Sequence, residues 1–156
     1  MDPLIAKFQT MSRLGKNPKQ VATVAAFEDA STETRVNEFC RSLGRQLGAK
    51  CEVKQQMWLF NELRVPQLRG IAAGEASRAD LVIISPHHAQ SFPGEVQEWF
   101  DLWLGQKKGS RPTALLALFD PVYVGDSTAL QSYLKEAARK GKMEFMVRAE
   151  EAPDDD

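Results

Sequence analysis

Residues 79–104 constrain the fold more than any other part of the chain. They include an unbroken apolar run at positions 81–84, which is typical of a strand covered on both faces of a parallel sheet. After a polar loop, Pro93 suits the first turn of a helix. The apolar residues that follow recur with helical spacing: Val96, Trp99, Phe100, Trp103 and Leu104. The segment therefore predicts a central strand, a loop and a helix that packs on the sheet through its two tryptophans.

Four more strands are predicted on either side of this segment, at residues 20–27, 51–60, 113–119 and 142–147. Residues 51–60 alternate between apolar and polar side chains, so this strand is expected to lie half-exposed at one edge of the sheet.

Three more helices are predicted between the strands. The first has Ser31 or Thr32 as its cap and Gly48 as its stop. The second spans residues 66–78. Asp126 or Ser127 can cap the last helix, which is expected to stop at Gly141. Strands that alternate with helices indicate a parallel sheet with right-handed crossovers. Five strands favour a three-layer α/β sandwich in the flavodoxin-like order 2-1-3-4-5. In this order the first helix covers one face of the sheet and the next three cover the other.

The two ends of the chain differ from the predicted domain at residues 19–149. Residues 1–18 are expected to form an amphipathic arm, because apolar side chains are spaced for one face of a helix at Leu4, Ile5, Phe8 and Met11. Residues 150–156 form an acidic tail, so no helix is expected after the last strand. The arm is the candidate to fill that place, either in its own subunit or in a partner. Self-association through this arm or through the edge strand is therefore predicted, and deletion of residues 1–18 is expected to cause aggregation or dissociation.

Composition excludes several classes of protein. With 156 residues and a 43% hydrophobic fraction, the chain can bury the core of one globular domain. A formal net charge of -1 gives no reason to expect nucleic acid. The chain has no apolar run of membrane-spanning length and no apolar core of a secretion signal, so a cytoplasmic location is expected. Cys40 and Cys51 lack CxxC spacing and are expected to be reduced.

The loop after the third strand carries a family resemblance. Ser85-Pro86, Pro93-Gly94, Val96 and Asp101 follow the pattern SPxYNxxxPGxLKxxxD, and in this the chain resembles the NADPH-dependent FMN reductases. It departs from the pattern where His88-Ala89-Gln90 replace Tyr-Asn-Gly and where Gln97 replaces a lysine. The resemblance implies a flavodoxin-like fold, bound FMN and, for an enzyme, flavin-dependent NAD(P)H oxidoreductase activity. The residues that would line the flavin ring are Pro86, His87, His88, Ala89 and Gln90.

The same resemblance implies that hydroxyl groups after the first strand hold the FMN phosphate: those of Ser31, Thr32 and Thr34. Three carboxylates lie close to them in sequence, at Glu28, Asp29 and Glu33. At about 6 Å and an effective dielectric constant of about 20, each carboxylate opposes one phosphate charge by roughly 2 to 3 kcal/mol. Phosphate binding therefore requires these acids to point away, although Arg35 can offset one of them.

A second interpretation uses the acids. Response-regulator receivers share the strand order and carry an acidic pair at the end of the first strand, and Glu28-Asp29 resembles that pair. The third strand ends in Ser85-Pro86-His87 without an aspartate to phosphorylate, and Arg148 is the closest counterpart of the receiver lysine. This resemblance implies a cofactor-free interaction or signalling domain that is not phosphorylated.

Two further groups of residues have alternative interpretations. Asp29, His87, His88 and Asp120 follow three neighbouring strands and could form a metal or acid-base site, although hydrogen-bonded or solvated loop histidines are the simpler interpretation. Trp58 and Phe60 are predicted on the polar side of the edge strand, where an exposed aromatic pair could stack on a planar ligand or contact another subunit.

Overall fold

The computed structural model describes residue 6 and residues 20–48, 51–87, 90–109, 111–120 and 127–149. Its strands are β1 (Gln20–Phe27), β2 (Glu52–Leu59), β3 (Leu81–Ser85), β4 (Ala114–Phe119) and β5 (Glu144–Ala149). Its helices are α1 (Ala30–Leu47), α2 (Pro66–Arg78), α3 (Gly94–Gln106) and α4 (Thr128–Gly141), and a 3-10 helix spans Phe60–Arg64. The five strands form one sheet in the order β2-β1-β3-β4-β5, and every neighbouring pair is parallel. The predicted fold class and strand order are confirmed.

The central strand β3 is buried along its whole length. Ile83 has no exposed surface and pairs with Ala25 of β1 on one side and Leu116 of β4 on the other. At the end of β3, the Ser85 side chain also joins this strand to β4, since its hydroxyl donates to the Leu118 carbonyl at 3.0 Å. The unbroken apolar run therefore lies where its composition predicted.

The helices divide between the two faces as predicted. On one face α1 packs against β1, β2 and β3 through Val36, Phe39, Cys40 and Leu43. On the other face α2, α3 and α4 enclose a second core, in which Trp99 and Trp103 have no exposed surface. The prediction that these two tryptophans belong to the core is confirmed.

The predicted cap of α1 is wrong. Asp29 is the N-cap, and Thr32 is the third residue of the helix, bonded to Asp29 in a capping box. Ser31 lies exposed in the first turn. The carboxylate takes the capping position because β1 ends at Phe27, which leaves Asp29 in extended backbone two residues later. The predicted stop at Gly48 is confirmed, and its φ of 90° is one that other residues rarely adopt.

The predicted exposed aromatic pair is also wrong. Phe60 is 4% exposed, because it begins the 3-10 helix and its ring packs in the core that α2, α3 and α4 enclose. Trp58 is half-buried against the same core, and its indole N–H donates to Glu75 Oε1 at 2.7 Å. The exposed positions of the edge strand β2 are all polar: Glu52, Lys54, Gln55 and Gln56. Charged side chains at the edge of a sheet discourage pairing with a strand of another chain.

The predictions for the two ends of the chain lie outside the described residues, apart from Ala6 in the arm. None of the helices in the described part of the chain is long and apolar enough to cross a lipid bilayer.

Candidate functional site at the carboxyl edge of the sheet

The carboxyl ends of β1 and β3 lie side by side, and the chain leaves them in opposite directions. It passes from β1 to α1 on one face and from β3 to α3 on the other. In open α/β sheets such a divergence opens the crevice in which ligands bind. The β1 side of the crevice is short, because only Glu28 and Asp29 connect β1 to α1.

The capping box occupies the polar groups at the start of α1. Asp29 Oδ1 accepts the Thr32 amide at 3.0 Å. The Thr32 hydroxyl accepts the amides of Glu28 and Asp29, each at 3.0 Å, and donates to the Asp29 carbonyl at 2.9 Å. Thr32 is completely buried, so its hydroxyl completes its hydrogen bonds inside the protein rather than facing the crevice.

The three hydroxyls predicted to hold a phosphate do not converge. Ser31 and Thr34 lie three residues apart on the exposed side of the first turn, whereas Thr32 faces inward. The Thr34 hydroxyl donates to the Ala30 carbonyl at 3.1 Å. The start of α1 therefore offers a phosphate fewer free donors than the sequence suggested.

Asp29 and His87 meet across the crevice, as their positions after neighbouring strands predicted. Asp29 Oδ2 lies 2.6 Å from His87 Nδ1, and Glu28 Oε1 accepts the His87 backbone amide at 2.7 Å. Partial burial raises the pKa of Asp29, but hydrogen bonds from His87 and Thr32 and the charge on His87 outweigh it, so that this pKa lies below its ordinary value. The two acids of the β1 connection thus fix the start of the loop after β3.

Arg35 and Asp120 form a second polar pair beside the first. The Arg35 guanidinium lies 3.3 Å from Asp120 Oδ2 at the end of β4, and only 10% of the Arg35 side chain is exposed. Two of its nitrogens, Nε and Nη1, are buried and have no hydrogen-bond partner among the described residues. Asp120, which the sequence placed in one possible site with Asp29 and His87, thus contacts Arg35 through its Oδ2.

The loop after β3 is anchored at both ends. Pro86 is buried, His87 is held as above, and Gln90 is exposed, while the predicted ring contacts His88 and Ala89 lie outside the described residues. At the far end, Gln97 donates through its side-chain amide to the Phe92 carbonyl at 2.8 Å. The glutamine that departs from the reductase pattern thus closes the loop onto α3.

The sequence predicted one of these contacts, and two were missed. The pairing of Asp29 with His87 followed from strand adjacency. The bond from Glu28 to the His87 amide was missed, although the same adjacency signalled it. The Arg35 to Asp120 pair left no local signal, because 85 positions separate the two residues. Among the residues that the structure describes, no three His, Cys, Asp or Glu side chains come together in a way that could hold a metal ion.

The fold and the site together define the chain as an α/β domain of flavodoxin-like strand order with a polar network across its crevice. No protein-family model matches the chain, and a search of curated proteins found no match either.

Proposed function

We propose that this chain is a self-associating interaction domain, similar in architecture to a receiver that is not phosphorylated, and that a second copy of the chain binds at the carboxyl edge of its sheet. The observation that carries the proposal is the Arg35 guanidinium, nine-tenths buried with two unpaired nitrogens among the described residues. A buried donor without an acceptor costs about 1 to 3 kcal/mol, so Arg35 calls for an acceptor oxygen from elsewhere. Because these two nitrogens are themselves buried, a carboxylate or carbonyl of a partner chain meets that requirement when the guanidinium turns toward the exposed tenth of the side chain.

The geometry favours this function over flavin binding. The β1 connection has two residues, and both carry acids that bind the loop after β3. A phosphate at the start of α1 would face these carboxylates and would find the Thr32 hydroxyl already bonded. The rival hypothesis is the FMN-dependent reductase implied by the resemblance, with Ser31 and Thr34 as its phosphate contacts.

Titration with FMN separates the two hypotheses. For an interaction domain we expect a colourless purified protein and no change in FMN fluorescence at protein concentrations up to about 100 µM. FMN binding at micromolar affinity that is lost in Ser31→Ala/Thr34→Ala would contradict the interaction domain and support the reductase.

Size-exclusion chromatography with light scattering tests self-association directly. The wild type is expected to be a dimer or larger, and Arg35→Gln is expected to dissociate at lower concentration. The control is Arg41→Gln, an exposed arginine of the same helix, which should leave the mass unchanged. A wild type that stays monomeric up to about 100 µM would refute the proposal.

We infer that the arm at residues 1–18 contributes to the same assembly. Residues 1–18 carry apolar side chains spaced for one face of a helix, which suits a contact with another apolar surface. Deletion of this arm should cause dissociation or aggregation. If the truncated protein keeps its mass and its free energy of unfolding, the arm has no such role. We also propose, from the sequence, that the protein is located in the cytoplasm.

A further inference from the structure

The amino edge of the sheet, opposite the crevice, carries a cleft of about 440 Å³. It lies between the carboxyl-terminal ends of α2 and α3, because helices that return antiparallel to the strands end at this edge. Its lining is polar and basic: Ser77, Arg78, Gln106, Lys108 and Arg111. We refer to these five residues as the basic cleft.

Two cations of the basic cleft have no partner in the described part of the chain. Arg78 and Lys108 are both exposed and neither makes a hydrogen bond or an ion pair there. The third cation is held in place, since Arg111 Nε lies 3.3 Å from Asp80 Oδ1. The side chain of Asp80 is 3% exposed and also accepts the Ala22 amide of β1 at 2.8 Å, so this carboxylate anchors Arg111 to the sheet.

The cations that line the cleft outnumber the negative charges in contact with them. The carboxyl-terminal ends of two helices contribute about half a negative charge each, and Asp80 contributes one, against three cations. Further cations stand next to the cleft. Burial lowers the pKa of Lys107, and the nearby ammonium group of Lys142 lowers it further. Capping of a helix end by one basic residue is common, but it does not require three cations around one concave space.

We propose that the basic cleft binds a small phosphorylated molecule. Its volume lies within the range of about 300 to 1,000 Å³ of small-molecule sites, and a concave site of this size suits such a ligand better than a flat macromolecular surface. Arginine guanidinium groups match phosphate oxygens in two parallel hydrogen bonds. The Ser77 hydroxyl donates to the Gly74 carbonyl and can still accept, and the Gln106 amide can donate, so both can orient polar groups of the ligand.

Isothermal titration calorimetry of the full chain with sodium pyrophosphate tests this site at an ionic strength of about 0.15 M. The cleft variant is Arg78→Gln/Lys108→Gln. The matched control, Arg41→Gln/Lys135→Gln, removes the same two charges from exposed positions on α1 and α4 without bonds to other residues. All four side chains are exposed, and thermal melts check that both variants stay folded.

We expect the wild type to bind pyrophosphate with a dissociation constant below about 1 mM, and the cleft variant to bind at least about tenfold more weakly. The control should stay within about twofold of the wild type, because overall attraction to a charged protein is screened by salt. If the titration shows only the heat of dilution up to about 5 mM pyrophosphate, the proposal is overturned. An equal loss of affinity in the cleft and control variants would overturn it too, because binding would then follow net charge.

Discussion

Replacement of Asp29 separates the two interactions that hold the carboxyl edge together. In the wild type, Oδ1 caps α1 through the Thr32 amide, and Oδ2 contacts His87 Nδ1. Asp29→Ala removes both interactions. Asp29→Asn keeps one side-chain oxygen, and asparagine caps helices as well as aspartate does. The substitution puts an uncharged amide group in place of the charged oxygen that faces His87.

The expected loss in the free energy of unfolding follows from these contacts. An N-cap contributes about 1 kcal/mol. The hydrogen bond to a charged group adds about 1 kcal/mol rather than more, because 36% of the Asp29 side chain is exposed and water screens the charge. We therefore expect losses of about 2 kcal/mol for Asp29→Ala and about 1 kcal/mol for Asp29→Asn.

Urea denaturation followed by tryptophan fluorescence measures both variants, since Trp99 and Trp103 are fully buried in the folded state. The slope of free energy against urea should not change, because neither variant alters the buried surface. The pH dependence has a defined sign. A folded-state pKa below the ordinary 3.8 means that the Asp29 carboxylate stabilises the fold above that pH and loses its effect as the pH falls through the lowered value. The difference between wild type and Asp29→Asn should therefore persist at about pH 5 and shrink in stronger acid.

The order of stability is the decisive result. Equal midpoints for Asp29→Ala and Asp29→Asn would show that the cap contributes nothing, and equal midpoints for Asp29→Asn and wild type would show the same of the His87 contact. Glu33→Gln is the matched control, because it removes a carboxylate from the same helical turn without removing a side-chain hydrogen bond. It should change the free energy of unfolding by no more than about 0.5 kcal/mol.

Three other variants and reactions test the structure away from the crevice. Asp80→Ala removes a buried acceptor from a β1 amide and should lower the free energy of unfolding by about 2 kcal/mol in urea titrations; an unchanged midpoint would contradict the contact. Burial raises the pKa of Cys40 to about 12, so Ellman's reagent should label this thiol only after unfolding, whereas half-buried Cys51 should react slowly in the native protein. Rapid labelling of both thiols in the absence of urea would contradict the burial of Cys40. Trp58→Phe removes the bond to Glu75 and should destabilise the protein by about 1 kcal/mol, which a thermal melt can detect.

The fold could be predicted because its main signals are local. An unbroken apolar run identifies a covered strand, and helical spacing places Trp99 and Trp103 in the core, without knowledge of any distant residue. The cap of α1 could not be chosen in this way, because Asp29, Ser31 and Thr32 are all good capping residues and the choice depends on where β1 ends. The direction of Phe60 was missed for a related reason, since alternation along a strand stops where the 3-10 helix begins.

The site was predictable only where strand order decides it. Once β1 and β3 are neighbours, Asp29 and His87 follow adjacent strand ends and are within reach of each other. The pairing of Arg35 with Asp120 depends on the length and direction of a long side chain between a helix and a distant strand, which no pattern of spacing encodes. The number of hydroxyl groups free to bind a phosphate was overestimated, because the sequence does not show that the Thr32 hydroxyl already accepts two backbone amides.

A net charge of -1 conceals opposite charges at the two edges of the sheet. At the carboxyl edge, Glu28, Asp29 and Asp120 contact the His87 amide, the His87 ring and Arg35, so three acids stand there against one guanidinium and one imidazole. At the amino edge, the exposed cations of the basic cleft face one buried carboxylate. Because fields in a concave site are focused and poorly screened, an anion should be drawn to the amino edge, although open α/β sheets usually bind ligands at the other. We therefore propose that the carboxyl edge binds a partner that supplies hydrogen-bond acceptors to Arg35 rather than a phosphorylated cofactor.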